Sequence, residues 1–339
     1  MTTTTSTAAR PGRGRLGQRE LTRVPLAVDG VPPVDLTAKP PPGQHLQLAT
    51  SWGPLRLHVR ETPGPAADAG TAVHLHGLAG SSTNWTDLAA LLSVRLRSIA
   101  VDLPGFGRTE PPPGFPCTRE ANAEAVVALL AQLPGPVHLS GNSFGAAVAV
   151  EVAAQRPDLV ATLTLISPAM PDLRLDPRRL SDPRIALAMV PVLGARTRRQ
   201  LATVTAAERA AQLMRLCFAD PGVVPPHRFA EAVAEFEERE RLPWAGPALG
   251  RTTVELVRSW LVPPARSLWR RLPEISAPTL VVWGAEDRVV SVRKAPRTAL
   301  LVPRGKLLVL PRTGHVAQME RPRIVARALL GLVDSAARC

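Results

Sequence analysis

A serine is a poor nucleophile at neutral pH unless a base stands within hydrogen-bond reach and an anion orients that base. This sequence holds such parts at three distant places. Residues 141–145 read Gly-Asn-Ser-Phe-Gly, between the apolar run 136–140 and the helix-like run 146–154. A strand turning sharply into a helix presents the central Ser143 at the apex, and Gly141 and Gly145 remove the Cβ atoms that would clash there. The hydroxyl is therefore expected to be exposed. The amide of Phe144 opens the following helix and points where a negative oxygen would be held. His315 is the base best placed to serve, because it follows Gly314 in a loop after the apolar run 307–310. The strand-like run 279–284 delivers two carboxylates, Glu286 and Asp287, to orient it. The chemistry of such a set is attack on an acyl carbonyl and a covalent acyl-serine.

Five residues around one serine are a weak signal, so the surrounding elements must carry it. Val73-His74-Leu75 reads as an apolar strand that ends in His76-Gly77-Leu78-Ala79-Gly80, a turn whose Leu78 amide is a second candidate oxyanion donor. His76 and Gly77 belong to that turn, where His76 is expected to hold the loop by hydrogen bonds rather than to move a proton. Residues 99–103 form another strand ending in a glycine-punctuated loop. The other histidines are less suited as the base: His74 and His138 lie inside strands, His45 and His58 near an early hairpin, and His227 in a helical stretch.

The elements that must position these residues alternate along the chain. Residues 45–50 and 55–60 alternate apolar with polar around Trp52-Gly53-Pro54, which predicts an antiparallel hairpin at a sheet edge. From Thr71 onwards strand and helix take turns, with helical spacing over 84–92 and over 118–133, the latter capped by Thr118. A doubly wound sheet follows, with the site beyond the carboxyl ends of its strands. From 167 to about 278 the alternation stops and only helices are expected, among them one capped by the box Thr205-Ala206-Ala207-Glu208, one over 227–242 and one over 252–261. A last helix is expected from about Glu320.

With its serine elbow, His-Gly turn, acid loop and late histidine in this order, the chain resembles the α/β-hydrolase family from about residue 45 to 337. The resemblance implies an eight-stranded, mostly parallel α/β sheet, with 45–167 and 277–339 as the core and 168–276 as an inserted helical cap. It implies a triad of Ser143, Asp287 and His315, with the amides of Leu78 and Phe144 as oxyanion hole, and no metal or cofactor. Trp283-Gly284-Ala285-Glu286-Asp287 matches the family's acid loop, which selects Asp287 over Glu286 and over Asp172, where some relatives place their acid. An ester or related acyl bond of a largely apolar small molecule is the expected substrate. The same triad also serves perhydrolysis and acyl transfer, and two further alternatives remain. Hydrolases that split carbon-carbon bonds in ring-cleavage products often carry Gly-Asn-Ser at the elbow, but usually a tryptophan after the histidine, where this chain has Val316. A non-catalytic ligand-binding member of the fold is the other. Epoxide hydrolases and haloalkane dehalogenases use an aspartate where Ser143 stands.

Composition bounds the rest. The chain has 339 residues, is 45% hydrophobic and carries a net charge of +13. Only Lys39, Lys294 and Lys306 are lysines, and there is no tyrosine. That arginine-heavy skew is expected of GC-rich coding, and no stacking aromatics interleave the arginines, so nucleic acid is not an expected partner. Cys117, Cys217 and Cys339 are too few and scattered for a disulfide framework or a clustered metal site. Residues 1–44, rich in Thr, Pro, Gly and Arg, read as a disordered or loosely draped tail without a secretory h-region. With no run long enough to insert stably in a membrane, a cytoplasmic protein acting on a small molecule is expected. The segment 168–276 holds Phe218, Phe229, Phe236, Trp244, Trp260 and Trp269, enough to roof an apolar substrate, although aromatics at helical spacing more often pack on the next helix. Its arginines, including Arg178, Arg179, Arg184, Arg196, Arg198 and Arg199, read as solvated faces.

Overall fold

A computed structural model describes residues 24–27, 31–35, 37–172 and 203–338. One eight-stranded sheet organises them, in the order β1-β2-β4-β3-β5-β6-β7-β8. Strands β1 (Gly43–Thr50) and β2 (Gly53–Thr62) form the expected hairpin, with His45 opposite His58, and β2 also runs antiparallel to β4 (Arg97–Val101). All other pairings are parallel: β3 (Thr71–Leu75) beside β4 and β5 (Val137–Asn142), then β6 (Val160–Ile166), β7 (Thr279–Gly284) and β8 (Gly305–Leu310). The order reverses around β3, so the strands' carboxyl ends open a crevice where connecting loops diverge.

The period of two along each central strand divides the core into two layers. In β7, Val281 and Trp283 join one apolar cluster while Leu280 and Val282 join the other; in β3, Val73 and Leu75 face the first and Ala72 the second. The first cluster is covered by helices α2 (Arg119–Leu130), α3 (Phe144–Gln155) and α7 (Ala295–Leu301). The second is covered by α1 (Thr86–Leu92) and α9 (Pro322–Ala337). Burying both faces explains why the central strands read as continuous apolar runs. Thr118 caps α2 by accepting the Ala121 amide, as its position predicts.

Between β6 and β7 the described residues hold helices and no strand: α4 (Ala206–Cys217), α5 (Pro226–Glu240) and α6 (Ala245–Trp260), with a short 3-10 turn between α4 and α5 and three more after α6. The capping box forms, with Thr205 and Glu208 bonding each other's backbone amides. Helix α6 begins at Ala245, earlier than the sequence spacing suggests, because Gly246, Pro247 and Gly250 in its first turns hide the helical period. The arginines at 178, 179, 184, 196, 198 and 199 lie outside the described residues.

Three local expectations are corrected. The stretch 84–92 is two elements, a 3-10 turn over Ser82–Trp85 capped by Ser81 and then α1. The last helix is broken, with a short α8 (Ala317–Glu320) ending before Pro322 starts α9, since proline has no amide to continue the ladder. The N-terminal tail is in part fixed to the core. Ala27 is buried, its amide donates to the Arg327 carbonyl at 2.9 Å, and Arg327 Nε donates back at 2.8 Å. A Cβ on Gly331 would stand 2.1 Å from the Pro25 carbonyl oxygen, so that glycine allows the close approach.

Candidate active site

The turn from β5 into α3 places Ser143 at φ 54° and ψ −115°, a region that costs a non-glycine residue on the order of 1–3 kcal/mol. Its neighbours hold it there: the Ser143 amide donates to Ile166 at 3.0 Å, and its carbonyl accepts from Ala147 at 3.1 Å and Ala169 at 3.0 Å. The flanking glycines are required by contact. A Cβ on Gly145 would lie 2.3 Å from the Leu75 carbonyl oxygen, and one on Gly141 would lie 2.5 Å from that of Gly145. The turn therefore wedges between β3 and α3, which aims the serine at the carboxyl edge of the sheet. The expectation of an exposed hydroxyl is corrected: Ser143 is 8% exposed, and it lines a cavity whose wall the helices of the insertion help to form.

His315 reaches that cavity from the opposite side. Its Nδ1 lies 2.9 Å from Asp287 Oδ2, while Oδ1 of the same carboxylate accepts the amides of Val289 and Val290, both at 2.9 Å. An ionised carboxylate only accepts, so Nδ1 carries the proton and the neutral ring leaves Nε2 as an acceptor. That Nε2 is buried and has no partner among the described residues. The loop is close-packed: a Cβ on Gly284 would stand 2.0 Å from the Gly314 carbonyl oxygen. The rival acids stand elsewhere. Glu286 is exposed, and Asp172 lies 3.4 Å from Lys294 Nζ. Asn142, overlooked in the sequence, donates from Nδ2 to the carbonyls of Ile166 at 3.2 Å and His315 at 3.0 Å, which ties the serine turn to the histidine loop.

Leu78 lines the same cavity, and Phe144, next to Ser143 and the first residue of α3, has no intrahelical acceptor for its N–H. Gly77 packs on the elbow, where a Cβ would come within 3.1 Å of the Ser143 Cβ. His76 accepts the Leu103 amide on Nε2 at 3.0 Å and donates from Nδ1 to the Gly77 carbonyl at 2.7 Å, an arrangement only the neutral ring makes. Burial lowers its pKa, against a raising influence of Asp102. Asp102 is the buried anchor that the sequence did not single out. It accepts His58 Nδ1 at 2.7 Å and the amides of Ser82 at 2.6 Å and Arg108 at 2.9 Å. Burial pushes its pKa up, but the His58 bond and the surrounding donors outweigh that and hold it at about 2. The signal available was its position, directly after β4 and before Gly105 and Gly107.

The cavity holding Ser143 and His315 has a volume of about 110 Å³, and the insertion supplies Leu213, Met214, Cys217, Phe218, Phe236 and Arg239 to its wall. Of the aromatics the sequence offered as a roof, Phe218 and Phe236 line it. The insertion is bonded to the histidine loop directly: the His315 amide donates to the Cys217 carbonyl at 2.6 Å, and Arg288 Nη1 donates to the Arg215 carbonyl at 2.9 Å. Glu320 adds a clamp, accepting the Ala219 amide on Oε1 at 2.9 Å and the Gly314 amide on Oε2. Burial raises the pKa of Glu320, and the amides of Gly314, Ala219 and Asp220 pull the other way. The Cys217 thiol is pushed up to about 12 by burial and by the charges of Asp287 and Glu320, so it does not compete as nucleophile.

Arg239 and Glu235 also face the cavity from α5, at a spacing of four that puts them on one face with Ala232 and Phe236. Glu235 accepts the hydroxyls of Ser81 at 2.8 Å and Thr83 at 2.6 Å. The Arg239 guanidinium lies 5.1 Å from the Phe236 ring centre, and its Nη1 is buried without a hydrogen-bond partner among the described residues. Among the same residues no group of three or more His, Cys, Asp or Glu side chains is placed to hold a metal ion.

Residues 72–328 match the alpha/beta hydrolase family. Among curated relatives, a 2-hydroxy-6-oxononadienedioate/2-hydroxy-6-oxononatrienedioate hydrolase of Cupriavidus pinatubonensis is 27% identical over 291 residues, 83% of this chain and 91% of its own. The monoacylglycerol lipase abhd6-B of Xenopus laevis is 27% identical over 264 residues, 77% of this chain and 74% of its own. Among solved structures, a thermophilic esterase from Thermogutta terrifontis superposes with a TM-score of 0.66 at 25% identity, covering 86% of this chain and 99% of that one.

Proposed function

The chain belongs to the alpha/beta hydrolase family, and from that premise we propose that it is a serine hydrolase cleaving a carboxylic ester or related acyl bond of a largely apolar small molecule. One observation carries the reading: the Asp287–His315 pair leaves an unprotonated, unpartnered Nε2 in the same cavity that Ser143 lines. In the proposed reaction His315 Nε2 takes the Ser143 proton as Oγ attacks the carbonyl carbon. The tetrahedral oxyanion is held by the Leu78 and Phe144 amides, each such donor being worth about 100- to 1,000-fold in rate. His315 then passes the proton to the departing alcohol. A water activated by the same nitrogen hydrolyses the acyl-Ser143 and restores the free hydroxyl. Asp287 stabilises the imidazolium, and the helices α4, α5 and α6 act as a cap that keeps water scarce during acylation.

A second reading has its own support. The relative from Cupriavidus pinatubonensis acts, by its name, on a dienedioate, and the Arg239 Nη1 that lacks a hydrogen-bond partner beside the cavity would suit a carboxylate of such a ring-cleavage product. Val316 stands where those hydrolases usually carry tryptophan. Hydrolysis rates on p-nitrophenyl esters from acetate to palmitate, beside a vinylogous 1,5-diketone acid, separate the two. Turnover of the esters, lost in Ser143→Ala, is the expected result. Inert esters with a cleaved diketone would transfer the assignment to carbon-carbon bond hydrolysis.

A further inference from the structure

A second, larger chamber opens beside the catalytic cavity. Its volume is about 340 Å³, within the usual range of roughly 300–1,000 Å³ for small-molecule sites, whereas the catalytic cavity, at about 110 Å³, is below it. The two share Asn84, Met214, Phe218, Ala232, Glu235 and Met319 on their walls, so these residues form the partition between them. Met214 and Phe218 come from α4 and the residue after it, and Met319 from α8, one turn beyond His315. Methionine is unbranched and swings at little cost, so this partition suits a passage that adapts to what threads it.

The far wall differs in character from the near one. Val223, Val224 and Pro225 from the α4–α5 connection, Val34 from the N-terminal segment and Pro322 at the start of α9 line it. The charged groups around the chamber already hold hydrogen-bond partners, Arg228 Nε being a buried donor without one among the described residues. Arg228 bonds Asp87 at 2.5 Å and Glu231 at 2.8 Å, Glu235 accepts the Ser81 and Thr83 hydroxyls, and Glu320 accepts two backbone amides. Matched charges neither attract an ionic ligand nor leave a desolvated one behind when an apolar group covers them.

We propose that this chamber is a substrate subsite that receives a flexible apolar chain of the ester through the Met214–Phe218–Met319 partition, while the scissile carbonyl sits at Ser143. The proposal rests on the hydrolase reading and adds the residues that set chain length. It concerns either end of the ester, since an acyl chain and an alcohol chain present the same hydrocarbon to these walls.

Val224→Trp fills the far chamber without touching the catalytic cavity and is tested on two series. The acyl chain varies from acetate to decanoate in p-nitrophenyl esters, and the alcohol varies from ethyl to decyl in alkyl acetates. The expected result is an acetate rate within about twofold of wild type and a loss of about tenfold or more on the longest members of one series. The affected series identifies the end of the ester that enters. Met214→Ala, which widens the passage, is expected to raise rates on long chains relative to short ones. Chain-length profiles unchanged in Met214→Ala, or unchanged in a Val224→Trp protein that a fluorophosphonate still labels at the wild-type rate, would overturn the proposal. Binding gives an independent reading that needs no turnover. Decanoate is expected to raise the Tm of wild type and not of Val224→Trp, and equal shifts in both would overturn the subsite even if the ester reading itself failed.

Discussion

At the scale of single residues, the site depends on which nitrogen of His315 holds the proton. The Asp287 carboxylate can only accept, and it fixes the proton on Nδ1. Asp287→Asn keeps the volume but offers an amide N–H in the same place, which favours the other tautomer and points an N–H at Ser143. Ester turnover by this variant is expected to fall about 10,000-fold in kcat with its fold intact by circular dichroism. A loss of less than about tenfold would mean that the acid is supplied from elsewhere. Ser143 and His315 stood out in the sequence because each sits in a glycine-flanked loop after a strand, and Asp287 because residues 283–287 match the family's acid loop; the structure pairs Asp287 with His315. Asp102, Asn142 and Glu235 did not, since their roles come from partners far away in sequence: His58 and Ser82 for Asp102, the His315 carbonyl for Asn142, Ser81 and Thr83 for Glu235.

At the scale of elements, the helical insertion and the histidine loop move as one body only if their shared bonds hold. Glu320 presents two acceptor oxygens to two amides, Ala219 of the insertion and Gly314 next to His315. Glu320→Gln replaces one acceptor by an NH2 group that confronts an N–H, so one of the two bonds is lost. A shift of His315 by a fraction of an ångström is then expected to lower kcat by about 10- to 100-fold with a smaller change in KM, and to speed proteolysis after α4. Unchanged kcat and proteolysis would show that the clamp does not position the histidine. The helices of this region were legible as helices from their period and from the capping box at Thr205. Their inward faces were not, because Ala232, Glu235, Phe236 and Arg239 share one face of α5 that carries charge, and the helical period does not say that such a face is turned to the core.

At the scale of the whole molecule, the sheet's two-sided burial made the fold readable, since continuous apolar strands alternating with helices admit few other arrangements. The N-terminal segment was read as disordered or draped because its valines stand among prolines with no sustained apolar period, whereas Val24, Val31 and Val34 pack on the core layer that α9 covers and Ala27 bonds Arg327, 300 positions along the chain. Burial on both faces of the sheet also contributes to the acid sensitivity of the fold. His74 is enclosed in β3 with its ring stacked on Trp85 at 4.9 Å, and burial pushes its pKa down to about 3 from an ordinary 6.5. Between those values the unfolded chain binds a proton that the folded protein refuses. The contribution of this ring to stability is therefore complete above about pH 6.5 and is lost as pH falls towards 3, with a slope of up to about 1.4 kcal/mol per pH unit. His138, lowered by burial to about 4, adds in the same direction. Urea midpoints of wild type are expected to drop between pH 7 and 5 more steeply than those of His74→Leu, and parallel slopes would contradict this account of the buried ring.

The claim on which the rest depends is that Ser143 becomes a nucleophile inside the cavity it shares with His315. Intact-mass analysis and peptide mapping after exposure to a fluorophosphonate test it directly. One adduct per chain, located on the peptide holding Ser143 and abolished in both Ser143→Ala and His315→Ala, is the predicted result. No adduct on the wild-type protein, or an adduct of equal yield in Ser143→Ala, would contradict it.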